Sequence, residues 1–267
     1  MSNAPIYCLH CKKEIFVYHL EKLLQCHHCK KLYPLTTGTI FQSTRFRLHT
    51  IFAMIWLLTC SKKSLNSREI MEELHLKSYR ITWQWIQKIR NELNFFPKAG
   101  RADGVEADSF TFRVKRKTPE GTIESKDVEI MIIISRKRTF FRLLKMAVIT
   151  HKTKPEINQL IRDTFPRIIY VPDRTWFYSD ERGYYRVRMG KKSKVYLPYC
   201  RLALPDMVAR RWNNWVKKHY RNNIHEEHLQ GYLNTFVFHF NQPGKAELPE
   251  YFRWIIENIW NQKDRKN

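Results

Sequence analysis

Two Cys-x-x-Cys pairs near the N-terminus constrain the fold of this chain more than any other feature. They are Cys8 with Cys11 and Cys26 with Cys29. Each pair can turn two thiolates toward one tetrahedral metal ion, and together they make the Cys₄ set that Zn²⁺ takes in structural sites. The spacing between the pairs is that of a zinc ribbon. Disulfides are the alternative, but we recognise no secretory signal peptide, so we expect reduced thiols and a bound zinc ion.

The net charge indicates a polyanionic partner. The chain carries 48 Lys and Arg against 25 Asp and Glu, a formal net charge of +23. Such an excess attracts phosphate backbones, which release counterions when basic side chains bind them. With 43% hydrophobic residues the chain can build a core, which excludes a disordered basic tail. A basic protein with merely solvated lysines is the alternative. The longest apolar run, Ile51–Leu58, is too short to span a bilayer.

A helical module is predicted after the cysteines. Apolar residues surround the segment Leu48–Cys60 nearly completely, which is typical of a buried helix. Asn66 and Glu69 have the spacing of a capping box, which predicts a second helix from about Ser67. A short break precedes a third helix over about Tyr79–Leu93. Two helices joined by a short turn, the second of them basic, indicate a helix-turn-helix. An ordinary helical hairpin is the alternative.

The third helix is expected to have an apolar face and a polar face. The inner face is predicted to consist of Ile81, Trp85, Ile86 and Ile89. The outer face is predicted to consist of Arg80, Gln84, Gln87, Lys88 and Arg90. The second helix of a helix-turn-helix enters the major groove of DNA. We therefore expect four of the outer side chains to contact DNA: Arg80, Gln84, Gln87 and Lys88.

The rest of the chain is expected to alternate strands and helices. Three strands, a helix and a fourth strand are predicted at Gly104–Phe112, Asp127–Ser135, Leu143–Thr150, Pro155–Phe165 and Thr175–Ser179. A polar turn is predicted over Lys115–Ser125. Three later helices are predicted at about Pro205–Tyr220, Glu226–Phe240 and Glu250–Trp260. A three-stranded meander followed by a helix and a further strand is the order of an RNase H-like core.

Two aspartates are candidate metal ligands in that core. Asp108 lies within the first strand, where a carboxylate is costly unless it is paired or binds a metal. Asp180 follows the fourth strand, the first strand's neighbour in an RNase H-like sheet. Both carboxylates are then expected to reach one Mg²⁺ site, and paired Mg²⁺ ions catalyse phosphodiester cleavage. The alternatives are a solvent-facing acid for Asp108 and an ordinary turn residue for Asp180.

Several short motifs occur in an order that is found in one protein family. Besides the cysteine pairs they are Thr37–Phe41, Ile81–Arg90, Gly104–Asp108, Tyr178–Asp180 with Tyr184 or Tyr185 after it, His228–Asn234 and Phe236–Asn241. With these motifs the chain resembles DDE-type insertion-sequence transposases that carry an N-terminal zinc ribbon, the bacterial relatives of the Merlin elements. The matches span about Cys8–Asn241.

The resemblance implies three catalytic acids. It assigns the first two to Asp108 and Asp180. Asp206 lies at about the family's distance from the C-terminal motif and is the candidate for the third. If Trp212 is aligned with the family's tryptophan instead, Ala209 occupies that acidic position. In that case the metal site has lost a ligand.

The resemblance also implies a fold and a function. The expected architecture is multidomain α+β: a zinc ribbon at 1–36, a helix-turn-helix-like module at 37–97 and an RNase H-like DDE-type domain with C-terminal helices at 98–267. Zinc is expected as the structural metal and Mg²⁺ or Mn²⁺ as the catalytic one. The expected partners are the double-stranded DNA of element terminal repeats and of the target, in a homo-oligomer on paired ends. The expected location is the cytoplasm of a bacterial host, at the nucleoid.

The same comparison leaves a second function open. The family has an acid directly after its first catalytic aspartate, where this chain has Ser109. The family's His, Asn and Glu ahead of the third acid's helix are missing from 200–206 as well. These departures favour a domesticated, transposase-derived DNA-binding protein that no longer cleaves DNA.

Overall fold

The chain mixes helix and sheet in two compact units. The computed structural model describes residues 6–8, 10–15, 19–20, 23–34, 36–37, 39–42, 44, 46–61, 64–94, 104–136, 143–149, 160, 184–187, 194–197, 203–242 and 248–260. Six α-helices and ten strands lie in this part of the chain. The first unit comprises Met1–Phe52 with Arg253–Asn267, and the second comprises Ala53–Phe252. In the described part, no helix combines the length and the apolar character that crossing a membrane requires.

The first unit contains five short strands around the cysteines. They are β1 (Ile6–Tyr7), β2 (Glu14–Ile15), β3 (His19–Leu20), β4 (Leu23–Gln25) and β5 (Leu32–Pro34). β1 pairs with β2, and β3, β4 and β5 form an antiparallel sheet in that order. One cysteine pair lies between β1 and β2 and the other between β4 and β5. Structures this small rarely bury enough apolar surface to be stable without a metal or disulfides.

Three helices follow, close to their predicted bounds. α1 covers Leu48–Thr59, α2 covers Ser67–Glu73 and α3 covers Tyr79–Glu92. The prediction that α1 is buried nearly all round is wrong, because Leu48 and Trp56 are each 37% exposed. One side of this apolar helix is therefore partly exposed.

Local hydrogen bonds explain where α2 ends and α3 begins. α2 starts with the predicted capping box, in which Asn66 Oδ1 accepts from the Glu69 N–H at 3.0 Å and the Asn66 N–H donates to Glu69 Oε2 at 2.6 Å. It ends at Glu73, and His75 two residues later has a φ of 51°, in the left-handed region, and reverses the chain as in a Schellman motif. α3 then starts at Ser78, whose side-chain oxygen accepts from the first turn of the helix.

A three-stranded antiparallel sheet forms the centre of the second unit. Its strands are β6 (Gly104–Lys117), β7 (Ile123–Arg136) and β8 (Leu144–Ile149), in that order across the sheet. The polar turn predicted over Lys115–Ser125 is wrong, since the two strands extend to Lys117 and from Ile123. This part of the hairpin is exposed, so backbone pairing continues without the apolar alternation that reveals a buried strand.

The helices after residue 200 are found where they were predicted. α4 covers Ala203–Tyr220, α5 covers Leu229–Phe240 after a 3₁₀ turn at Glu226–His228, and α6 covers Leu248–Trp260. α4 packs on β6 and β7, and α5 packs on β8 and on α3. The main core lies between these helices and the sheet. It contains Ile130, Ile132 and Leu144 of the sheet, Val208, Trp212 and Val216 of α4, and Leu229, Leu233 and Phe236 of α5.

The middle strand of the sheet is covered on both faces. Ile130 and Ile132 point into the core under α4, while Met131 and Ile133 on the opposite face are also fully buried. Coverage of both faces is typical of sheets in α/β folds rather than of a sheet with one face in water. β6 lies at the edge of this described sheet, and its pairing places Asp108 opposite Ile132.

Two predicted elements lie outside the described residues. They are the helix at Pro155–Phe165, of which Leu160 alone is described, and the strand at Thr175–Ser179. The hairpin of β9 (Tyr184–Val187) and β10 (Lys194–Leu197) was not predicted from the sequence. The division into modules at 1–36, 37–97 and 98–267 stays a prediction.

Candidate metal centre and acidic pocket

The four cysteines are close enough to bind a metal ion such as zinc. The Sγ atoms of Cys8 and Cys29 are 3.6 Å apart, as are those of Cys11 and Cys26, and all four lie within 4.8 Å of one another. Tetrahedral ligands at a Zn–S distance of about 2.3 Å stand about 3.8 Å apart. A disulfide requires about 2.05 Å. The sulfur positions therefore fit a tetrahedral ion and are too far apart for disulfides.

The two cysteine turns share one backbone geometry. In each pair the N–H of the first cysteine donates to the carbonyl five residues later, at 2.8 Å in one turn and 3.0 Å in the other. Lys12 and Lys30, which follow the second cysteine of each pair, have φ values of 58° and 57°. This left-handed conformation favours glycine, so a lysine there costs free energy that the fold must offset. The repeated turn brings the two cysteines of each pair to the same side of the chain.

Hydrogen bonds and neighbouring sulfurs set the protonation of the thiols. Burial opposes ionisation of Cys8, but hydrogen bonds from the Cys11 backbone and the Tyr33 hydroxyl outweigh it and lower the pKa of Cys8 to about 5. Backbone hydrogen bonding at Lys13 favours ionisation of Cys11, yet burial and the adjacent sulfurs raise its pKa to about 11. The Tyr33 hydroxyl lies 3.5 Å from Cys8 Sγ, and this bond raises the pKa of Tyr33 to about 12. A bound cation would relieve the repulsion among the thiolates.

In the part of the chain that the structure describes, no other group of three or more His, Cys, Asp or Glu side chains is close enough to share an ion. The donor set of sulfur atoms alone suits Zn²⁺ and makes a closed, four-ligand site. Such a site stabilises the fold and leaves no open position for catalysis.

An acidic pocket lies between the edge strand β6 and the start of α4. It has a volume of about 410 Å³. Asp108 from β6 and Asp206 from α4 both line it, although they are far apart in the sequence. Ala209, the alternative position for the third acid, lines it as well. The fold thus brings two of the three predicted acids to one cavity.

Asp108 is a buried acid rather than a solvent-facing one. Its residue is only 8% exposed, so the solvent-facing alternative is wrong. Asp108 Oδ1 accepts a hydrogen bond from the Ser109 N–H at 2.7 Å. Ser109 Oγ is also buried and has no hydrogen-bond partner among the described residues. Neighbouring side chains of a strand point to opposite faces, so the Ser109 hydroxyl lies on the other face from Asp108. The buried Asp108 carboxylate makes this wall of the pocket suited to a polar ligand or water.

Asp206 lies in the first turn of α4 and is partly exposed. Its carboxylate forms an ion pair with the guanidinium of Arg210, one helical turn later. The Arg210 side chain is 75% exposed, so this pair is open to solvent and its net contribution to stability is small. Ala209 contributes only a methyl group to the pocket. Asp180 lies outside the described residues, and its place in the site stays a prediction.

The exposed face of α3 differs from the predicted one at two positions. Arg80, Gln84 and Lys88 are exposed, as predicted. The prediction for Gln87 and Arg90 is wrong, because they are 6% and 0% exposed. Asn91 is also exposed on this helix, and Ile81, predicted to be inward, is 36% exposed. α3 packs against both α2 and α5, which makes its buried face wider than its apolar residues indicate.

Two tyrosines accommodate the buried guanidinium of Arg90. Arg90 Nη2 donates to the Tyr220 hydroxyl at 2.9 Å, and Arg90 Cζ lies 4.1 Å from the centre of the Tyr232 ring. With its amide oriented to satisfy hydrogen bonds, Gln87 accepts from Trp83 Nε1 and Arg90 Nη1, each at 3.2 Å. The sequence does carry a signal for this burial, since Arg90 stands four residues after Ile86 on the same helical face. These contacts join α3 to α4 and α5.

Comparison with known proteins adds no family assignment. No protein-family model matches the chain, and neither a curated protein nor a solved structure is significantly similar to it.

Proposed function

We propose that this chain is a DDE-transposase-like protein that binds DNA ends and cleaves and joins DNA strands at the acidic pocket. The observation that carries the proposal is the pocket itself, in which Asp108 and Asp206 line one cavity of about 410 Å³. Two carboxylates that line one cavity repel each other, so a bound cation or polar ligand would stabilise them there. In the proposed architecture, a zinc ribbon and a helix-turn-helix-like module precede an RNase H-like core.

The sheet supports the RNase H-like part of the proposal. β6, β7 and β8 form an antiparallel meander, the first strand carries a buried acid, and both faces of β7 are covered. A helix later in the chain, α4, contributes a second acid beside the first. This is the arrangement expected of a sheet that presents carboxylates to a phosphodiester.

The donor set of the pocket suits Mg²⁺ or Mn²⁺. Such ions take one or two carboxylates and fill their other positions with water or phosphate oxygens. Asp108 and Asp206 would hold the ion, with Asp180 as the predicted third ligand. Bound there, the ion would stabilise the charge that develops in a displacement at phosphorus. The Ser109 N–H holds one oxygen of Asp108, which fixes the orientation of that carboxylate.

The exposed face of α3 supports DNA recognition. Arg80, Gln84 and Lys88 are exposed on one side of a helix that follows a short turn. Arg, Gln and Lys are the side chains that hydrogen-bond base edges in the major groove, and the exposed Ile81 could contact a thymine methyl group. We propose double-stranded DNA of terminal repeats and of the target as the partner, bound by a homo-oligomer at the bacterial nucleoid.

A second function is favoured by two observations in the same pocket. Arg210 already neutralises Asp206, and Ala209 offers no ligand at the alternative third position. If the ion pair persists on DNA, the pocket holds a cation weakly and cleavage is lost. The chain would then be a DNA-binding protein derived from a transposase.

Metal-dependent cleavage separates the two functions. The purified full-length chain is incubated with Mg²⁺ or Mn²⁺ and a supercoiled plasmid that carries the DNA flanking its own gene. The transposase proposal predicts nicking that a chelator abolishes. Asp108→Asn should lower the nicking rate by about 100-fold or more, since the lost charge stabilisation is worth several kcal/mol.

Asp127→Asn is the matched control. Asp127 is an exposed acid on β7 that pairs with Arg113 at 3.0 Å, away from the pocket, and the substitution changes the net charge by the same amount. Its nicking rate should equal that of the unmodified chain. Nicking that survives in Asp108→Asn contradicts the assigned site. Tight DNA binding without nicking supports the second function.

A further inference from the structure

The outward side of α4 is strongly basic. From Met207 to Arg221 the chain has no Asp or Glu, and five basic residues are exposed: Arg210, Arg211, Lys217, Lys218 and Arg221. Of these, Arg210 alone has an ion-pair partner among the described residues, which is Asp206. Exposed charges are usually just solvated. Some of these charges, however, extend from the acidic pocket along α4, and this position indicates a binding role.

Part of this basic set continues the pocket along the helix. An α-helix turns by about 100° per residue, so Arg210, Asn213 and Lys217 fall on the same side of α4 as Asp206. Arg210 and Asn213 line the pocket, and Lys217 lies about 10 Å beyond Arg210 along the axis. Arg221 follows directly after the helix. We call Arg210, Asn213, Lys217 and Arg221 the basic stripe.

The helix holds the stripe firmly beside the pocket. On its opposite side Val208, Trp212 and Val216 are fully buried in the core against the sheet. The ring of Trp212 packs edge-on against Phe112 of β6, 5.6 Å away, on the same strand as Asp108. The spacing of Arg210, Asn213 and Lys217 from the pocket is therefore fixed by core packing rather than by a loop.

We propose that the basic stripe binds the phosphodiester backbone of the DNA strand that enters the acidic pocket. This inference rests on the proposed function, and it names the path of the substrate across the second unit. The distance of about 10 Å from Arg210 to Lys217 equals the rise of about three nucleotides along the axis of a duplex. Lys217 and Arg221 meet successive phosphates, while the Asn213 amide donates a hydrogen bond near the pocket.

The chemistry of the surface favours a nucleic-acid backbone over other polyanionic partners. The exposed side chains from Arg210 to Lys218 are all Arg, Asn or Lys, and none is apolar. A protein interface normally has an apolar or aromatic centre. A membrane-binding helix needs apolar side chains that insert into the bilayer. This surface has no apolar centre and no apolar side chains that could insert into a bilayer. Its cations and amides can instead bind the phosphates of a nucleic-acid backbone.

Two double variants of equal charge test the proposal. Lys217→Gln/Arg221→Gln removes two cations of the stripe, and Arg211→Gln/Lys218→Gln removes two cations from a face about 100° away on the same helix. Binding of the full-length variants to a labelled 30-base-pair duplex is measured from low to moderate salt. Loss of the stripe should lower the slope of log K against log salt by about 2 and weaken binding about tenfold, because two phosphate contacts are gone. The control pair should weaken binding less than about threefold, through net charge alone.

The outcomes separate this inference from the function on which it rests. Equal effects of the two double variants overturn the stripe, even if the unmodified chain nicks DNA. A selective effect of the stripe variant supports the stripe, even if no nicking occurs and the cleavage proposal fails. If the unmodified chain shows no salt-dependent DNA binding, both are overturned. Competition by RNA of equal length that exceeds competition by DNA would contradict DNA as the occupant.

Discussion

Four sulfur atoms within 4.8 Å of one another cannot all carry a negative charge without a cation among them. The pKa of Cys8 is lowered while that of Cys11 is raised, because ionisation of one thiol makes ionisation of its neighbour harder. A metal ion removes the conflict, and the binding free energy then becomes folding free energy. The four cysteines could be predicted as metal ligands from the sequence, because the Cys-x-x-Cys spacing by itself lets two thiolates reach one ion.

Replacement of one cysteine should therefore unfold its surroundings. We expect Cys26→Ser to lose the zinc ion, to unfold residues 1–35 locally and to weaken DNA binding, while the second unit stays folded. Zinc content is measured by mass spectrometry of the purified chain, together with hydrogen exchange. Cys60→Ser is the matched control, because Cys60 is buried directly after α1 and does not belong to the Cys₄ group. Equal zinc content in the two variants would count against the Cys₄ site.

The imidazole of His239 should make stability depend on pH. Burial, the largest influence, lowers the pKa of His239 to about 4, and nearby His219 and Arg90 also lower it, while a hydrogen bond at Leu58 raises it. The unfolded chain then binds more protons than the folded one below pH about 6.5, so the free energy of unfolding falls from there to pH about 4. The loss is up to about 3 kcal/mol. Urea denaturation at several pH values measures it.

His239→Gln is the test of that prediction. Gln stays neutral at every pH, so the variant should lose stability less steeply over the same window. The difference between the two pH profiles isolates the histidine from the carboxylates that titrate nearby. Identical slopes for the two proteins would show that His239 titrates normally.

Between elements, the contact of α3 with α5 depends on one glycine. A Cβ atom at Gly231 of α5 would meet Asn91 Oδ1 at 2.9 Å and Arg90 Cβ at 3.2 Å. Asn91 can rotate away, so we expect Gly231→Ala to cost little. Gly231→Leu should force the helices apart and lower the free energy of unfolding by about 1–3 kcal/mol. Denaturant titration of both variants measures this, and equal stabilities would contradict the close approach.

The same contact leaves the other face of α3 exposed, and the proposed function predicts that this face binds DNA. Arg80→Ala/Gln84→Ala should weaken binding to a cognate duplex by about tenfold or more without changing stability, because each good base contact is worth about 1–3 kcal/mol. Fluorescence anisotropy with specific and scrambled duplexes measures the change, which should be larger for the specific one. Arg211→Ala on α4 is the control for a lost exposed charge. A uniform loss on both duplexes would assign these residues to the backbone instead of to bases.

Elements were predictable wherever the sequence marks both their ends and their buried side. The capping box at Asn66 and the apolar spacing in α5 gave correct helices. The strands around residues 115–125 were missed, because an exposed hairpin is held by backbone pairing that no side-chain pattern records. Gln87 and Arg90 were misplaced because their side chains find polar partners within the protein, and Tyr220, the partner of Arg90, comes from a distant part of the sequence.

At the scale of the whole molecule, the pocket is a product of tertiary packing. Asp108 could be singled out as an acid within a strand, and Asp206 entered through resemblance to a family. Their meeting depends on α4 packing across β6 and β7, which no local pattern encodes. The ion pair of Asp206 with Arg210 was equally unpredicted, although the i,i+4 spacing of an acid and an arginine on a helix signals it.

The most direct test of the proposed cleavage site is whether the pocket binds Mn²⁺ in the presence of a DNA duplex. Electron paramagnetic resonance measures this binding. The unmodified chain should bind Mn²⁺ at a site that Asp108→Asn and Asp206→Asn each weaken by about tenfold or more, as loss of a ligand carboxylate requires. Asp127→Asn should bind as the unmodified chain does. If Asp108→Asn and Asp206→Asn bind Mn²⁺ as tightly as Asp127→Asn, the pocket is not a cation site, and the proposed cleavage function is contradicted.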